Sequence, residues 1–460
     1  MKTKTLLASI AMLLFGIALS AQNVAGLWSG TLQLPTGKLR IVFHLSPQGD
    51  GYTATMDSPD QGAKGIPVTQ ATFTPPTLTL EIASAQIKYT GTYENGLFKG
   101  TFVQGGFSLP LELSKSVESV QSNRPQEPLA PYPYRSEEVT FANQKAGIKL
   151  AGTLTLPQTG SNFPVAVLIT GSGKQNRDEE LLGHKPFLVI ADYLTRNGIA
   201  VLRYDDRGVA QSTGDFASAT SADFAEDAAS AVAYLKTRKE INPKKIGLIG
   251  HSEGGLIAPM VASTSKEVSF IVLLAGIGIK GDELLLLQKK RLEEQMGFNP
   301  MQVAASGQFM ASAYELITQT TGNGASLRDS VTQYLTDASK GTLTNQLCAA
   351  LAQQITTPWF VYLLRTDPAV YLRQVRCPVL ALNGSKDLQV PAKENLERIQ
   401  TSIKSNGNKQ VTTLELENLN HLFQECTTGL PAEYATIEQT CSPKMLEVLS
   451  EWLRKTLQLR

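Results

Sequence analysis

Histidine and cysteine are scarce in this chain, with four of each in 460 residues. Cys348, Cys377, Cys426 and Cys441 are too few and too scattered for a disulfide scaffold, and no Cys or His pair stands at metal-ligand spacing, so a zinc site is not expected. In an oxidising compartment the first choice for a bridge is the local pair Cys426 and Cys441, with free buried thiols as the alternative. Neither sign of charge predominates: 42 basic residues face 41 acidic ones, net +1, and without Lys2 and Lys4 the count is 40 against 41, or −1. That balance excludes a nucleic-acid footprint and a basic membrane patch. Past residue 21 no apolar run is long enough to span a bilayer. A composition of 42% hydrophobic and 18% charged residues is that of a globular protein with room for two or three domains.

The first 21 residues have the grammar of a secretory signal: Lys2 and Lys4, an apolar stretch from Leu6 to Leu19, and small residues at Ala18-Leu-Ser-Ala21. The expectation is cleavage near Gln22, export to a periplasmic or extracellular location, and no stable membrane insertion afterwards. From residue 22 to 115 the pattern is that of antiparallel strands. Leu39, Ile41, Phe43 and Leu45 share one face, the alternation recurs in Leu78/Leu80/Ile82, Ile87/Tyr89/Gly91/Tyr93 and Phe107/Leu109/Leu111/Leu113, and Asp50-Gly51 and Asn95-Gly96 mark hairpin turns. A small barrel or sandwich follows from this spacing. Residues 116–136, with Pro125, Pro128, Pro131 and Pro133, read as an extended linker.

From 137 to 460 the grammar changes to alternating β and α. Strands are expected at Val139–Phe141, Ile148–Leu156, Val165–Ile169, Ile199–Arg203, Lys245–Ile249, Phe270–Leu274, Pro378–Leu382 and Thr412–Leu416. Helices are expected at Phe187–Arg196, Ala222–Leu235 and Ser442–Leu457. This alternation makes a mostly parallel sheet. About 279–367 is helical in pattern and interrupts the alternation just after a strand, which puts a cap over the edge where such sheets bind ligands. Met310, Tyr314 and Trp359 in this insertion are candidates for a pocket lining, with insertion core as the plainer reading.

Gly250-His-Ser-Glu-Gly254 lies between a strand and a helix. Glycines there remove the Cβ atoms that would clash in a tight turn, and such a turn pushes the Ser252 hydroxyl out above the sheet as a nucleophile. A serine needs a base, and the four histidines permit elimination. His44 sits in the β domain on the solvent face, His184 precedes the serine in an apolar-flanked loop, and His251 adjoins Ser252 on a sharp turn and should point away. His421 follows the last strand and is the candidate base. Asp387, after the penultimate strand, is the candidate carboxylate that orients it; Glu417 and Glu425 are too close to His421 along the chain, and Asp367 precedes its strand.

Ser252, Asp387 and His421 stand in the order Ser, Asp, His, and from Val139 onward the chain resembles the α/β-hydrolase family, in particular its bacterial carboxylesterase-like members. Arg203-Tyr-Asp-Asp-Arg-Gly-Val-Ala-Gln-Ser212 is similar to the family's D-x-R-G-x-G-x-S turn, with Ala210 at a position where glycine is common. Thr170-Gly-Ser-Gly173 takes the place of the His-Gly oxyanion loop. The resemblance implies that the amides of Ser172 and Glu253 bind the oxyanion, that no cofactor or metal is needed, and that the substrate is a small-molecule ester. A peptidase or thioesterase of the same fold is the alternative activity. The β domain as a glycan- or lipid-binding module is the non-enzymatic one. For the Glu253 side chain an ion pair with Arg207 or Arg177 is the sharper of two expectations. The charged run Arg177-Asp-Glu-Glu180 reads as solvated. Oligomeric state does not follow from the sequence.

Overall fold

The computed structural model describes residues 24–34, 37–49, 51–59, 63–105, 107–116, 123–322 and 324–459. The signal reading of 1–21 falls outside them. The chain divides into two compact units, one ending near Gln121 and the other running from Ser122 to the C-terminus.

In the first unit the strands follow one another: β1 (Gly26–Leu34), β2 (Gly37–Gln48), β3 (Gly51–Ser58), β4 (Ala63–Pro67), β5 (Gln70–Thr74), β6 (Thr77–Ile82), β7 (Ile87–Glu94), β8 (Leu97–Gln104) and β9 (Phe107–Ser116). Each pairs antiparallel with the next, except that β3 reaches β5 through Tyr52 and Ala71 while β4 hangs on β3. Pairing of β9 with β1 closes an eight-stranded barrel, which decides between the two expected architectures. Ile41, Phe43 and Leu45 point inward with Trp28, Leu78, Leu80, Tyr89 and Phe98, so side chains pack the interior. His44 lies on the opposite face of β2, half-buried against Asp57 at 2.7 Å.

The second unit opens with β10 (Arg135–Asn143), β11 (Ile148–Leu156) and β12 (Phe163–Ile169), then α1 (Pro186–Arg196), β13 (Ala200–Tyr204), α2 (Ser221–Leu235), β14 (Ile241–His251), α3 (Gly254–Thr264) and β15 (Phe270–Leu274). A helical cap follows: α4 (Gly281–Gln295), α5 (Pro300–Gln319), α6 (Ala325–Ser339), α7 (Asn345–Ile355) and α8 (Pro358–Arg365). The chain returns through α9 (Ala369–Leu372), β16 (Val379–Gly384), α10 (Ala392–Lys404), β17 (Val411–Leu416), α11 (Pro431–Tyr434) and α12 (Pro443–Thr456). Sheet order is β10-β11-β13-β12-β14-β15-β16-β17, antiparallel over the first three and parallel from β13 onward.

Both faces of the sheet are covered, which is why its central strands read as continuous apolar runs. Val165, Val167 and Ile169 face α2, α3 and α10, while Ala166 and Leu168 face α1 and α12. In α12 the buried positions Met445, Leu446, Leu449 and Leu453 repeat at helical spacing, and Arg454 and Lys455 sit in the last turn, where the helix dipole favours cations. The cap has its own core, with Met310 and Tyr314 packed among Ala313, Ile317, Val331 and Leu335. Both are therefore insertion core. Its longest helix, α5, starts on an Asn299 cap that accepts the Met301 and Gln302 amides at 3.0 Å.

Two expectations change in this unit. Within the stretch read as a linker, residues from 123 onward are docked on the rest of the second unit: Arg124 donates to the carbonyls of Ala435 and Ile437, and the amides of Thr440 and Cys441 donate to Gln126. The bridge between Cys426 and Cys441 is not formed. Both are thiols, with Cys426 directed at the Asn418 carbonyl and Cys441 buried beneath Pro186.

Gly247, in the middle of β14, shows how tightly the sheet is filled. A Cβ there would sit 2.2 Å from the Phe270 ring of β15, and that ring is itself packed edge-on against Trp452. Gly247→Ala is expected to destabilise the unit by about 1–3 kcal/mol through overpacking. Urea unfolding followed by tryptophan fluorescence measures it, and an unchanged midpoint would show that the ring has room to move.

Candidate active site

The chain leaves β14 at His251, turns at Ser252, and enters α3 at Gly254. Ser252 has φ +54°, a left-handed conformation that costs a non-glycine residue on the order of 1 kcal/mol or more. The turn holds because its neighbours admit no side chain. A Cβ on Gly250 would lie 1.9 Å from the Gly254 carbonyl oxygen, and one on Gly254 would lie 2.1 Å from that of Ile169. The Ser252 amide donates to the Leu274 carbonyl at 2.8 Å, tying the turn to the end of β15.

Asp387 follows β16 and His421 follows β17. Both are buried, and His421 Nδ1 lies 2.8 Å from Asp387 Oδ2. The other Asp387 oxygen accepts the amides of Gln389 and Val390 at 2.8 and 2.9 Å, so the carboxylate is fixed by its own loop. With Nδ1–H donated to a carboxylate, Nε2 is the nitrogen left for proton transfer. Among the described residues no hydrogen bond joins Ser252 Oγ to His421. The structure thus brings Asp387 and His421 into contact and sets Ser252 on the elbow, with the serine link unmade.

Ser172 is exposed on the loop after β12, directly after Gly171, whose Cα faces the Ser252 side chain; a Cβ on Gly171 would be 3.3 Å from that of Ser252. The Gly171 amide is already committed to Glu179 Oε1 at 2.7 Å. The Glu253 amide sits at the start of α3, where helix amides favour negative charge.

The expected ion pair of Glu253 is not present. Its buried carboxylate accepts from Ser221 Oγ at 2.6 Å and from the indole of Trp359, in the cap, at 2.8 Å. Arg207 pairs instead with Asp227 and Arg177 with Asp205, because both guanidiniums lie beside carboxylates of their own layer. Burial raises the pKa of Glu253 above the usual carboxylate range, against the pull of its two donors. Trp359 is therefore a contact between cap and elbow rather than insertion core alone.

The run Arg177–Glu180 is also not solvated as a whole. Arg177 reaches Asp205, Glu138 and Thr153, Asp178 pairs with Arg203, and Glu179 is 2% exposed. The motif at 203–212 explains why. Asp205 accepts the Arg177 amide and guanidinium; burial opposes its charge, but Arg177 holds its pKa below the usual carboxylate range. Asp206 accepts Thr170 Oγ1 at 2.7 Å and the Gln175 amide at 3.0 Å. Thr170, standing where the family has histidine, thus anchors the loop through its hydroxyl. His184, excluded as the base, is buried with its ring against Thr440 Oγ1 and the Tyr434 carbonyl, and burial lowers its pKa to about 4.

Burial, with Glu253 and Glu179 nearby, pushes Asp206 from 3.8 up to about 8, although Thr170 and Gln175 pull the other way. A folded pKa above the unfolded one gives stability that is complete at low pH and is lost as pH rises through the folded value. Asp206→Asn is expected to remove this term, so that its stability falls less than the parent's between about pH 5 and pH 8.5. Parallel pH dependences in thermal unfolding would refute it.

A family model described as X-Pro dipeptidyl-peptidase (S15 family) matches residues 146–422, a span that takes in the 170–179 loop, Ser252, Asp387 and His421. Esterase EstD of Thermotoga maritima is 24% identical over 307 residues, 66% of this chain and 66% of its own. PA2218 of Pseudomonas aeruginosa is 28% identical over 178 residues, 37% of this chain and 46% of its own. Among solved structures, the α/β hydrolase GrgF from Penicillium sp. sh18 aligns at a TM-score of 0.45 and 17% identity, covering 71% of this chain and all of that one. With the sheet order and the strand-turn-helix at Ser252 in place, the chain is an α/β hydrolase and belongs to the X-Pro dipeptidyl-peptidase (S15) family.

Proposed function

We propose that the protein is a serine hydrolase of carboxylic esters, acting through Ser252, His421 and Asp387. The observation that carries this reading is the buried His421–Asp387 contact beside a serine held at positive φ. Ser252 Oγ attacks the ester carbonyl as His421 Nε2 takes its proton. Asp387 keeps the ring in the required tautomer and stabilises the imidazolium. The amides of Ser172 and Glu253 receive the oxyanion, each worth about 3–4 kcal/mol in comparable holes. Collapse expels the alcohol, which takes the proton from His421, and water repeats the sequence on the acyl-enzyme to release the acid. The missing Ser252–His421 hydrogen bond forms as substrate closes the site.

The description of the matching family favours a second reading, cleavage of a dipeptide from an X-Pro N-terminus by the same chemistry. The name of the Thermotoga relative and the chain's carboxylesterase-like motifs favour the ester. A thioester would enter the same mechanism. Export after cleavage of residues 1–21 is part of this proposal. The packed interior of the barrel argues against a ligand held inside it, so a glycan or lipid would have to use its outer surface.

Hydrolysis of p-nitrophenyl esters from acetate to octanoate, beside an X-Pro p-nitroanilide, tests the reading. Turnover of the esters is expected, with Ser252→Ala lowering kcat by about 10⁴-fold or more and Asp387→Asn by about 10³–10⁴-fold. Turnover of the anilide alone would establish the peptidase instead, and undiminished ester turnover in Ser252→Ala would remove the proposed nucleophile.

A further inference from the structure

His251 stands next to Ser252 yet takes no part in the chemistry described above. Its ring is buried, 7% exposed, and both nitrogens have partners: Nδ1 lies 2.9 Å from Glu179 Oε1, and Nε2 lies 3.0 Å from the backbone carbonyl of His421. A carboxylate oxygen and a carbonyl oxygen can only accept. With Glu179 ionised, both contacts are hydrogen bonds at once only if both ring nitrogens carry protons, the arrangement that makes His251 an imidazolium. Glu179, 2% exposed, is its counter-ion, and the same Oε1 also accepts the Gly171 amide at 2.7 Å.

These contacts form a chain across the site: Gly171 in the loop that offers the Ser172 amide, Glu179, His251, and then the backbone of His421. We propose that Glu179 and His251 are positioning residues, a buried charge pair that sets the oxyanion loop and the loop of the general base at a common distance from Ser252. The inference rests on the reading of the site given under Proposed function.

The surroundings fit the assignment. The His251 and His421 rings are 4.8 Å apart between centroids; Asp387 and the His421 carbonyl act on His251, and Asp206 and the Cys441 thiol are near enough to feel the Glu179 charge. Burial alone would drive the proton off His251. The Glu179 carboxylate, with the His421 carbonyl and Asp387, outweighs it and raises the pKa above the ordinary histidine value. The neighbouring wall of Pro186, Phe187, Ile190, Leu274, Leu422 and Met445 is apolar, so the pair has little water to weaken it.

Breaking one partner would strand a buried charge, whereas replacing a buried pair by apolar groups of similar volume often preserves folding. The test is therefore the double variant Glu179→Leu/His251→Phe in the full chain, assayed beside Ser252→Ala on p-nitrophenyl butyrate. The double variant is expected to keep its thermal midpoint within a few degrees and its KM within about twofold, while kcat falls about 10- to 100-fold, the scale of a small misplacement of catalytic groups. A kcat within twofold of the parent would overturn the proposal. Independently, a pH titration of the unmutated protein with ¹⁵N-labelled histidine is expected to show one histidine of the four that keeps both ring nitrogens protonated above the ordinary histidine value. Absence of that signal would overturn the charge pair even if the double variant did not fold. Undiminished turnover in Ser252→Ala would instead remove the reading of the site, and the positioning role with it.

Discussion

A serine at φ +54° between three glycines is the constraint around which the hydrolase unit is arranged. The turn at Ser252 is too tight for any Cβ at Gly250 or Gly254, and Gly255 packs onto the backbone of Gly276 just as closely. Backbone thus touches backbone at three points where β14, β12 and the segment after β15 converge. Strain of this kind persists only where the surroundings over-determine it. Here they do so through the parallel register of the central strands and the Ser252 amide bonded to Leu274. Once the turn is fixed, the C-terminal ends of β12, β16 and β17 have one edge on which to place their loops, and Gly171, Asp387 and His421 all arrive there.

Much of this was legible in the chain. Continuous apolar runs announced buried parallel strands, glycines in G-x-S-x-G announced the elbow, and with four histidines elimination left His421, which the structure sets against Asp387. The closed barrel was legible as strands, but closure depends on β9 finding β1, a pairing of Ser114 with Ser29 across most of the unit that no local pattern encodes. Misread residues share one physical trait: their partners lie far away in sequence. Arg177-Asp-Glu-Glu180 looks solvated until the 203–212 turn brings Asp205 and Arg203 against it. Glu253 looks as though it needs a cation until Trp359, 106 residues onward, supplies an indole N–H. A charged residue at a strand end gives no sign of whether its counter-charge comes from solvent or from another loop.

Those distant contacts also explain the motif at 203–212. By resemblance it marks a family, but its physical work is to staple the loop after β12. Asp205 and Asp206 between them take the Arg177 guanidinium and amide, the Gln175 amide and the Thr170 hydroxyl. A loop of polar backbone above a sheet edge would otherwise sample many conformations, each a loss of preorganisation for an oxyanion. Two adjacent carboxylates on a short turn, each accepting amides, restrict it at the root. The substitution of threonine for the family's histidine at 170 fits within this arrangement, because a hydroxyl reaches Asp206 and leaves the backbone free.

Asp206, Glu179 and Glu253 are all buried around one serine, and the three are handled differently. Glu179 has a cationic partner in His251. Asp206 has an amide and a hydroxyl, which do not prevent its pKa from rising to about 8. Glu253 has a hydroxyl from α2 and an indole from α8, so two different layers, the helix under the sheet and the cap above it, meet on one carboxylate next to the elbow. A buried polar group left without donors is costly, on the order of 1–3 kcal/mol or more. Moving the cap away from Glu253 would incur that cost unless water entered to replace Trp359. The cap is therefore held to the elbow by the same desolvation that raises the carboxylate's pKa, and the shape of any pocket beneath it is tied to the residue that follows Ser252.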